Sequence, residues 1–241
     1  MEILAVDGMP EVRPGDDLAG LIADRAELRS GDILVIAQKV VSKAEGRLVD
    51  LRQVEPGPEA VRIAAEIAHD PRLVQLILDE SVRIVRQERI LIVETRHGYV
   101  CANAGIDHSN VPGEETVCLL PEDSDASAER LRERLRELTG SAVGVIVADT
   151  FGRAWRMGIG NVALGVAGLP ALVDYRGQRD DFGKDLQVTV VAIADELAAA
   201  AELVMGKTAR VPAALIRGYH PEGPPGTGRD LIRPAELDLF R

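Results

Sequence analysis

The chain has 241 residues, of which 46% are apolar and 28% charged, the proportions of a folded chain rather than a disordered one, and it is long enough to bury a substantial core. Only 3% of residues are aromatic, with Trp155 the single tryptophan, so Val, Leu, Ile and Ala must build that core and base-stacking platforms for nucleic acid are not expected. A net charge of −11 repels nucleic acid and anionic lipid, and any phosphate ligand therefore needs local cations or metal.

The amino-terminal stretch MEILAVDGMPEVRPGDD lacks the basic start and long apolar run of a signal peptide, and no apolar stretch approaches the ~20 residues of a membrane span. Cys101 and Cys118, the only cysteines, are too few for a disulfide scaffold or a Cys-rich zinc site. A cytoplasmic location without membrane attachment is the expectation.

In chain order, Glu2–Val6 and Ile33–Gln38 read as strands, with a short helix over Leu18–Ala26 between them. Pro58–Ala68 and Pro71–Asp79 each open with a first-turn proline and continue with helical spacing of apolar residues. Ser81–Arg86, Ile90–Thr95, Tyr99–Ala102 and Thr116–Leu120 form a strand-rich middle, with Arg96-His97-Gly98 as a hairpin turn. Ser124–Leu138 is the clearest helix, with Ser124 as cap and Gly140 as stop. Ala142–Ala148 is a buried strand, Leu172–Tyr175 and Gln187–Ile193 are further strands, Ala194–Met205 is a helix and Ala213–Arg217 a last strand, before the Pro/Gly-rich stretch Tyr219–Pro234. Strands grouped at hairpin spacing favour an α+β fold over a doubly wound parallel sheet.

Two standard phosphate motifs fail. Met205-Gly206-Lys207-Thr208 lacks the earlier glycine of a P-loop, since position 201 is Ala201, and Gly158-Ile159-Gly160 lacks the third glycine of a dinucleotide fingerprint, since position 163 is Ala163. Three polar segments at strand ends remain. In Gln38–Gly46, an extended chain would put Lys39, Val41 and Lys43 on one face, a cation pair spaced for a polyphosphate, or equally a solvated edge strand. In Asn103–Asn110, Asp107 and Asn110 offer hard oxygens for Mg²⁺ or Mn²⁺, although any turn uses such residues. In Val145–Gly158, an apolar strand delivers Asp149 and Thr150 at its carboxyl end, and a glycine-hinged loop then presents Arg153 and Arg156 around Trp155. That pattern suits a metal-bound phosphate, or a helix cap with snorkelling arginines.

Asp16-Asp17-Leu18, Gln38-Lys39-Val40-Val41-Ser42-Lys43-Ala44-Glu45-Gly46, Asn103-Ala104-Gly105-Ile106-Asp107-His108-Ser109-Asn110, Ala148-Asp149-Thr150-Phe151-Gly152-Arg153 and Met205-Gly206-Lys207 occur in that order. Over essentially its full length the chain resembles the coenzyme F420-0:L-glutamate ligase family, also called F420:γ-glutamyl ligase. The resemblance implies a two-lobed α+β fold with mainly antiparallel sheets, one lobe over about 1–84 with 190–241 and the other over about 85–189. It implies a GTP-dependent ligase that adds L-glutamate to coenzyme F420-0, with further γ-linked glutamates, as a homodimer using two Mg²⁺ or Mn²⁺ sites and K⁺. Carried over by motif, Asp107 and Asp149 would hold the first metal and Thr150 the second, and Asp149 and Arg153 would act in catalysis. GTP would contact Met9, Pro10, Glu11, Val12, Gln38, Lys39, Lys43, Asn110 and the segment Gly206, Lys207, Thr208, Ala209, Arg210 and Val211. Another carboxylate-amine ligase and a non-catalytic GTP-binding relative are the alternatives. The family often has Glu or Gln after the glycine of the late motif, a second-metal ligand, where this chain has Lys207. A cationic amine cannot coordinate Mg²⁺, so either Thr150, water and phosphate hold that metal or Lys207 supplies charge in its place.

Overall fold

The runs Ile33-Leu34-Val35-Ile36 and Val145-Ile146-Val147-Ala148 carry no polar residue at either parity, the pattern of strands covered on both faces. The computed structural model, which describes residues 1–238, pairs them side by side within one five-stranded sheet. In chain order the elements are β1 (Glu2–Ala5), α1 (Leu18–Ala23), β2 (Ile33–Ala37), α2 (Gln38–Ala44), β3 (Leu48–Asp50), α3 (Pro58–Ile67), α4 (Pro71–Asp79), β4 (Ser81–Gln87), β5 (Leu91–Thr95), β6 (Val100–Ala102), β7 (Thr116–Cys118), α5 (Ser124–Thr139), β8 (Gly144–Gly152), β9 (Ile159–Ala167), β10 (Val173–Asp174), β11 (Val190–Val191), α6 (Ile193–Met205) and β12 (Ala213–Arg217).

The main sheet runs β1-β12-β2-β8-β9, with β2 and β8 parallel and all its other neighbours antiparallel. Smaller antiparallel sheets are β4-β5-β6, β3-β7 and β10-β11. The fold is therefore α+β with mainly antiparallel pairing. The parallel register, Ile33 opposite Gly144 through Ala37 opposite Ala148, brings the carboxyl ends of β2 and β8 to the same edge.

Alternate residues of the central strands feed two cores. Leu34, Ile36, Val145, Val147, Ala213 and Leu215 pack with Ile22 of α1 and Ala128, Leu131 and Leu135 of α5. Ile33, Val35, Ile146, Ala148, Ala214 and Ile216 pack with Leu197, Ala198, Ala201 and Met205 of α6. A third core joins Ile63 and Ala64 of α3, Val74 and Ile77 of α4, Leu91 and Val93 of β5 and Val117 of β7. Close approach at the first interface depends on Gly165 of β9, where a Cβ would lie 2.0 Å from the Ser124 carbonyl oxygen at the start of α5. Among the described residues, no helix is long and apolar enough to cross a membrane.

Four local expectations need correction. Gln38–Ala44 is helical rather than extended: the buried Gln38 and Ser42, four residues apart, hydrogen-bond at 2.9 Å, and Val41 packs into the first core. A helix also puts residues four apart on one face, so Lys39 and Lys43 remain neighbours for a different reason. The strand β8 does not stop at Ala148 but carries Asp149, Thr150 and Gly152 into a hairpin with β9, a strand the apolar pattern alone did not reveal. Asp123, not Ser124, caps α5, accepting from the Ala126 backbone N–H at 3.0 Å, because a carboxylate one residue earlier reaches the free N–H groups of the first turn. Finally, the strand expected over Gln187–Ile193 is only Val190–Val191, with Ile193 already in α6, and Leu48–Asp50 adds β3 against β7, a pairing too short to read from pattern.

Candidate active site

Helix α2 begins directly where β2 ends, at the same edge to which β8 delivers Asp149 and Thr150. Its first turn sends Lys39 to the loop after β6: the Lys39 Nζ donates to Asp107 Oδ2 at 2.5 Å, to the Ser109 carbonyl at 2.8 Å and to Ser109 Oγ at 2.9 Å. Asp107 is further fixed by the Ser109 N–H at 2.8 Å, the Ser109 hydroxyl at 2.7 Å and a backbone bridge to Cys118. Burial works against the Asp107 charge, but Lys39 and Ser109 outweigh it and hold the carboxyl below its ordinary range. The same loop is conformationally costly, with Asn103, Ala104 and Asn110 all at positive φ. Strain of this kind persists where surrounding structure imposes it, and it clusters at functional loops.

Asp149 sits in a different environment. Burial pushes its carboxyl up to about 6, opposed by the Thr150 backbone N–H and by the fields of Lys39 and Lys207, while Asp107 adds repulsion. The mutual fields place Asp107, Asp149, Lys39 and Lys207 in one neighbourhood, although they come from four separate segments. Among the described residues no cation forms an ion pair with Asp149. A partly buried carboxylate left in that state is a donor that a hard divalent cation would satisfy, and the Asp107 carboxylate, the Thr150 hydroxyl and the Asn161 amide oxygen supply the same class of donor nearby. The donor chemistry fits Mg²⁺ or Mn²⁺. No cluster of three or more His, Cys, Asp or Glu side chains suited to a metal occurs among the described residues, so such an ion would also draw on neutral protein oxygens, water or substrate.

Thr150 donates to Asn161 Oδ1 at 2.7 Å across the β8–β9 pair, and Lys207 Nζ lies 2.5 Å from Thr150 Oγ1 and 2.7 Å from Glu202 Oε1. Lys207 reaches this position because Gly206 ends α6 at φ 58, ψ −171, a backbone state open to glycine and almost no other residue. Thr208, Ala209 and Arg210 continue as an exposed loop, and Val211 is half-buried. The Pro212 carbonyl then accepts from the Ala37 N–H at 2.8 Å, tying this loop to the start of α2.

The early loop joins from the other side. Val12 is buried and Met9 packs against the first core, while Pro10 and Glu11 line a cleft of about 560 Å³ together with Arg13 and Asp16. Glu11 pairs with Lys43, whose side chain is only 5% exposed. A buried ammonium needs such a counter-charge. The structure thus brings Lys39, Asp107, Asp149, Thr150 and Lys207 together and joins the early loop to α2 through the Glu11–Lys43 pair, while Gln38 is buried and accepts from Ser42. Asn110 is exposed at the top of the Asp107 loop. Arg153 stands apart: it is exposed beyond the end of β8 and donates to the Met157 carbonyl of its own hairpin at 2.5 Å. Three participants were not anticipated from sequence, namely Ser109, Asn161 and Glu202. Asn161 was hidden because β9 was, and Glu202 reads as one more polar residue on a helix.

A second polar cavity, of about 450 Å³, lies elsewhere, lined by Arg47, Glu80, Arg96, Glu122, Asp123 and Arg229 among others. Its charges are matched: Glu80 meets Arg96 at 2.5 Å and Arg47 at 3.2 Å, and Asp123 meets Arg229 at 2.7 Å.

Comparison with known proteins matches residues 8–218 to the F420-0:Gamma-glutamyl ligase family. The chain belongs to that family. It is 52% identical over 237 residues to a protein of Methanopyrus kandleri named coenzyme F420:L-glutamate ligase, covering 96% of this chain and 94% of that one. A protein of the same name from Methanothermobacter thermautotrophicus is 49% identical over 251 aligned positions, covering 100% and 99% of the two chains. Another from Haloarcula marismortui is 45% identical, covering 100% and 96%.

Proposed function

We propose that this F420-0:γ-glutamyl ligase family member joins L-glutamate to coenzyme F420-0 at the expense of GTP, and extends the product by further γ-linked glutamates. The observation that carries the reading is the convergence of Asp107 and Asp149, from separate segments, between Lys39 and Lys207. It is the arrangement expected where two anions, a carboxylate and a triphosphate, must meet.

Forming an amide from a free carboxylate in water is uphill, so the carboxylate is first activated. An oxygen of the acceptor carboxylate attacks the γ-phosphorus of GTP, the bond to the β-bridging oxygen breaks, and GDP leaves with that electron pair. The glutamate amine attacks the resulting acyl phosphate, the amide bond forms, and phosphate departs as the amine gives up a proton to solvent. No side-chain nucleophile is needed. Asp107 and Asp149 would hold a divalent cation, which when bound lowers the repulsion between the reacting anions. Gln38, Lys39, Lys43, Asn110, the loop Met9–Val12 and the segment Gly206–Val211 would bind the nucleotide, and Lys39 and Lys207 would balance charge on the transferring group. K⁺ belongs to the same proposal. So does a homodimer, supported by Trp155, Met157, Ile159, Phe182 and Val188, large apolar side chains exposed after β8 and in the stretch between β10 and β11.

The test is product mass after incubation with F420-0, glutamate and Mn²⁺ or Mg²⁺, with GTP or ATP supplied separately. One or more glutamate increments with GDP release in the GTP arm are expected. No glutamylated product with either nucleotide, in a protein that remains folded, would overturn the reading.

A further inference from the structure

Phosphoryl transfer between two anions is served by a pair of positive centres, one on each side of the transferring group. At this edge of the sheet the first position is defined by Asp107 and Asp149. The second place is taken by an amine. Lys207 Nζ is ringed by Thr150 Oγ1 at 2.5 Å, Glu202 Oε1 at 2.7 Å and, more loosely, Asn161 Oδ1 at 3.4 Å, oxygens supplied by β8, α6 and β9. A hydroxyl, a carboxylate and an amide oxygen converging from three elements form the donor set of a hard cation. The second oxygen of that carboxylate, Glu202 Oε2, is buried with no hydrogen-bond partner among the described residues, as if the set had more acceptor capacity than one ammonium uses. Lys207 is not a stray surface lysine: the Gly206 conformation turns it back onto the end of β8, and its side chain remains 51% exposed, leaving one face open to a substrate oxygen.

We propose that Lys207 is a built-in cation that fills the second of the two positions, so that the chain loads one divalent ion where a neutral or acidic residue at 207 would allow two. The inference rests on the ligase reading and deepens it. The physical reason is exclusion. An ammonium held at hydrogen-bond distance from Thr150 and Glu202 repels a divalent ion from the same oxygens and occupies their lone pairs. In exchange the site gains a positive centre that cannot dissociate, with its geometry preset by the end of α6, where the helix dipole favours a cation.

The experiment is a Mn²⁺ titration of the whole protein, saturated with a non-hydrolysable GTP analogue, in which electron paramagnetic resonance reads free Mn²⁺. The wild-type chain is expected to bind one Mn²⁺ per protomer. Lys207→Gln, which keeps a side-chain oxygen and removes the charge, is expected to bind two while remaining folded by circular dichroism, although Glu202 loses its ammonium partner. Two Mn²⁺ in the wild type, or one in Lys207→Gln, overturns the built-in cation and leaves the ligase reading standing. Failure of both proteins to bind the analogue would instead remove the nucleotide reading, and this inference with it.

Discussion

Two polar regions of this molecule use the same residue types to opposite ends. In the cavity around Glu80, each arginine is matched to a carboxylate, and the charges neutralise one another within the protein. At the shared edge of β2 and β8, Asp149 has no ion-pair partner among the described residues and is pushed up to about 6, while Lys39 and Lys207 are held beside it without pairing to it. The cavity's ion pairs are closed; the charge at the edge is not. An imbalance maintained against burial marks a place where something else completes the charge, and volume alone would not have distinguished the two.

The largest expected effect separates chemistry from folding. Asp149→Asn should lower glutamate ligation by at least ~10²–10³-fold, the scale on which loss of one group stabilising the transition state is felt, while the melting curve shows a folded protein. A folded Asp149→Asn with full turnover would dissolve the contrast between the regions. The converse change lies in the cavity: Glu80→Ala removes a partner from both Arg47 and Arg96 but leaves Arg47 with Glu122 at 3.4 Å and the Leu120 carbonyl at 2.9 Å, and should cost about 1–3 kcal/mol in urea unfolding with turnover per folded molecule unchanged. Next, Lys39→Met should weaken the proposed GTP binding, read by calorimetry, by ~1–3 kcal/mol, the usual scale of a charge-assisted contact.

The finest test sets Asp107 against Asp149 through pH. Asp149 titrates at about 6 in the fold against 3.8 in the unfolded chain, so the folded state binds the extra proton. Its contribution is fully favourable below pH 3.8 and is lost as pH rises through about 6. Asp149→Asn should therefore raise stability at pH 7.5, by up to about 3 kcal/mol, and change it little near pH 3.5. Asp107 has the opposite sign: its lowered carboxyl stabilises the fold above its unfolded value, and that stability is lost on acidification. Asp107→Asn should lower the melting temperature at pH 7.5 and converge on the wild type in acid. Equal shifts for the two variants would mean that the two carboxylates share one environment.

How much of this was legible in the sequence can be judged residue by residue. The proline-led helices α3 and α4 were, because first-turn proline and 3.6-residue spacing are local signals. The carboxylates and lysines of the edge were legible as polar groups following apolar runs. The form of α2 was not, since Val40 and Val41 suit a strand, and the helix is selected by burial of Gln38, Val41 and Ser42 against their neighbours. The strand β9 was missed because Gly160 and Gly165 depress strand propensity. Pairing to β8 and the close seat of α5 over Gly165 are long-range effects that override it. With β9 hidden, no local pattern linked Asn161 to Thr150, and Glu202 meets Lys207 only through the turn at Gly206.

The parallel pairing of β2 with β8 has a temporal meaning as well. Ala37 and Ala148 are separated by α2, β3, the whole stretch from α3 to β7 and α5, so Lys39 and Asp149 become neighbours only after that long loop has closed. The nucleotide affinity proposed above should thus be among the last properties to emerge as a nascent or refolding chain matures, well after its helices have formed.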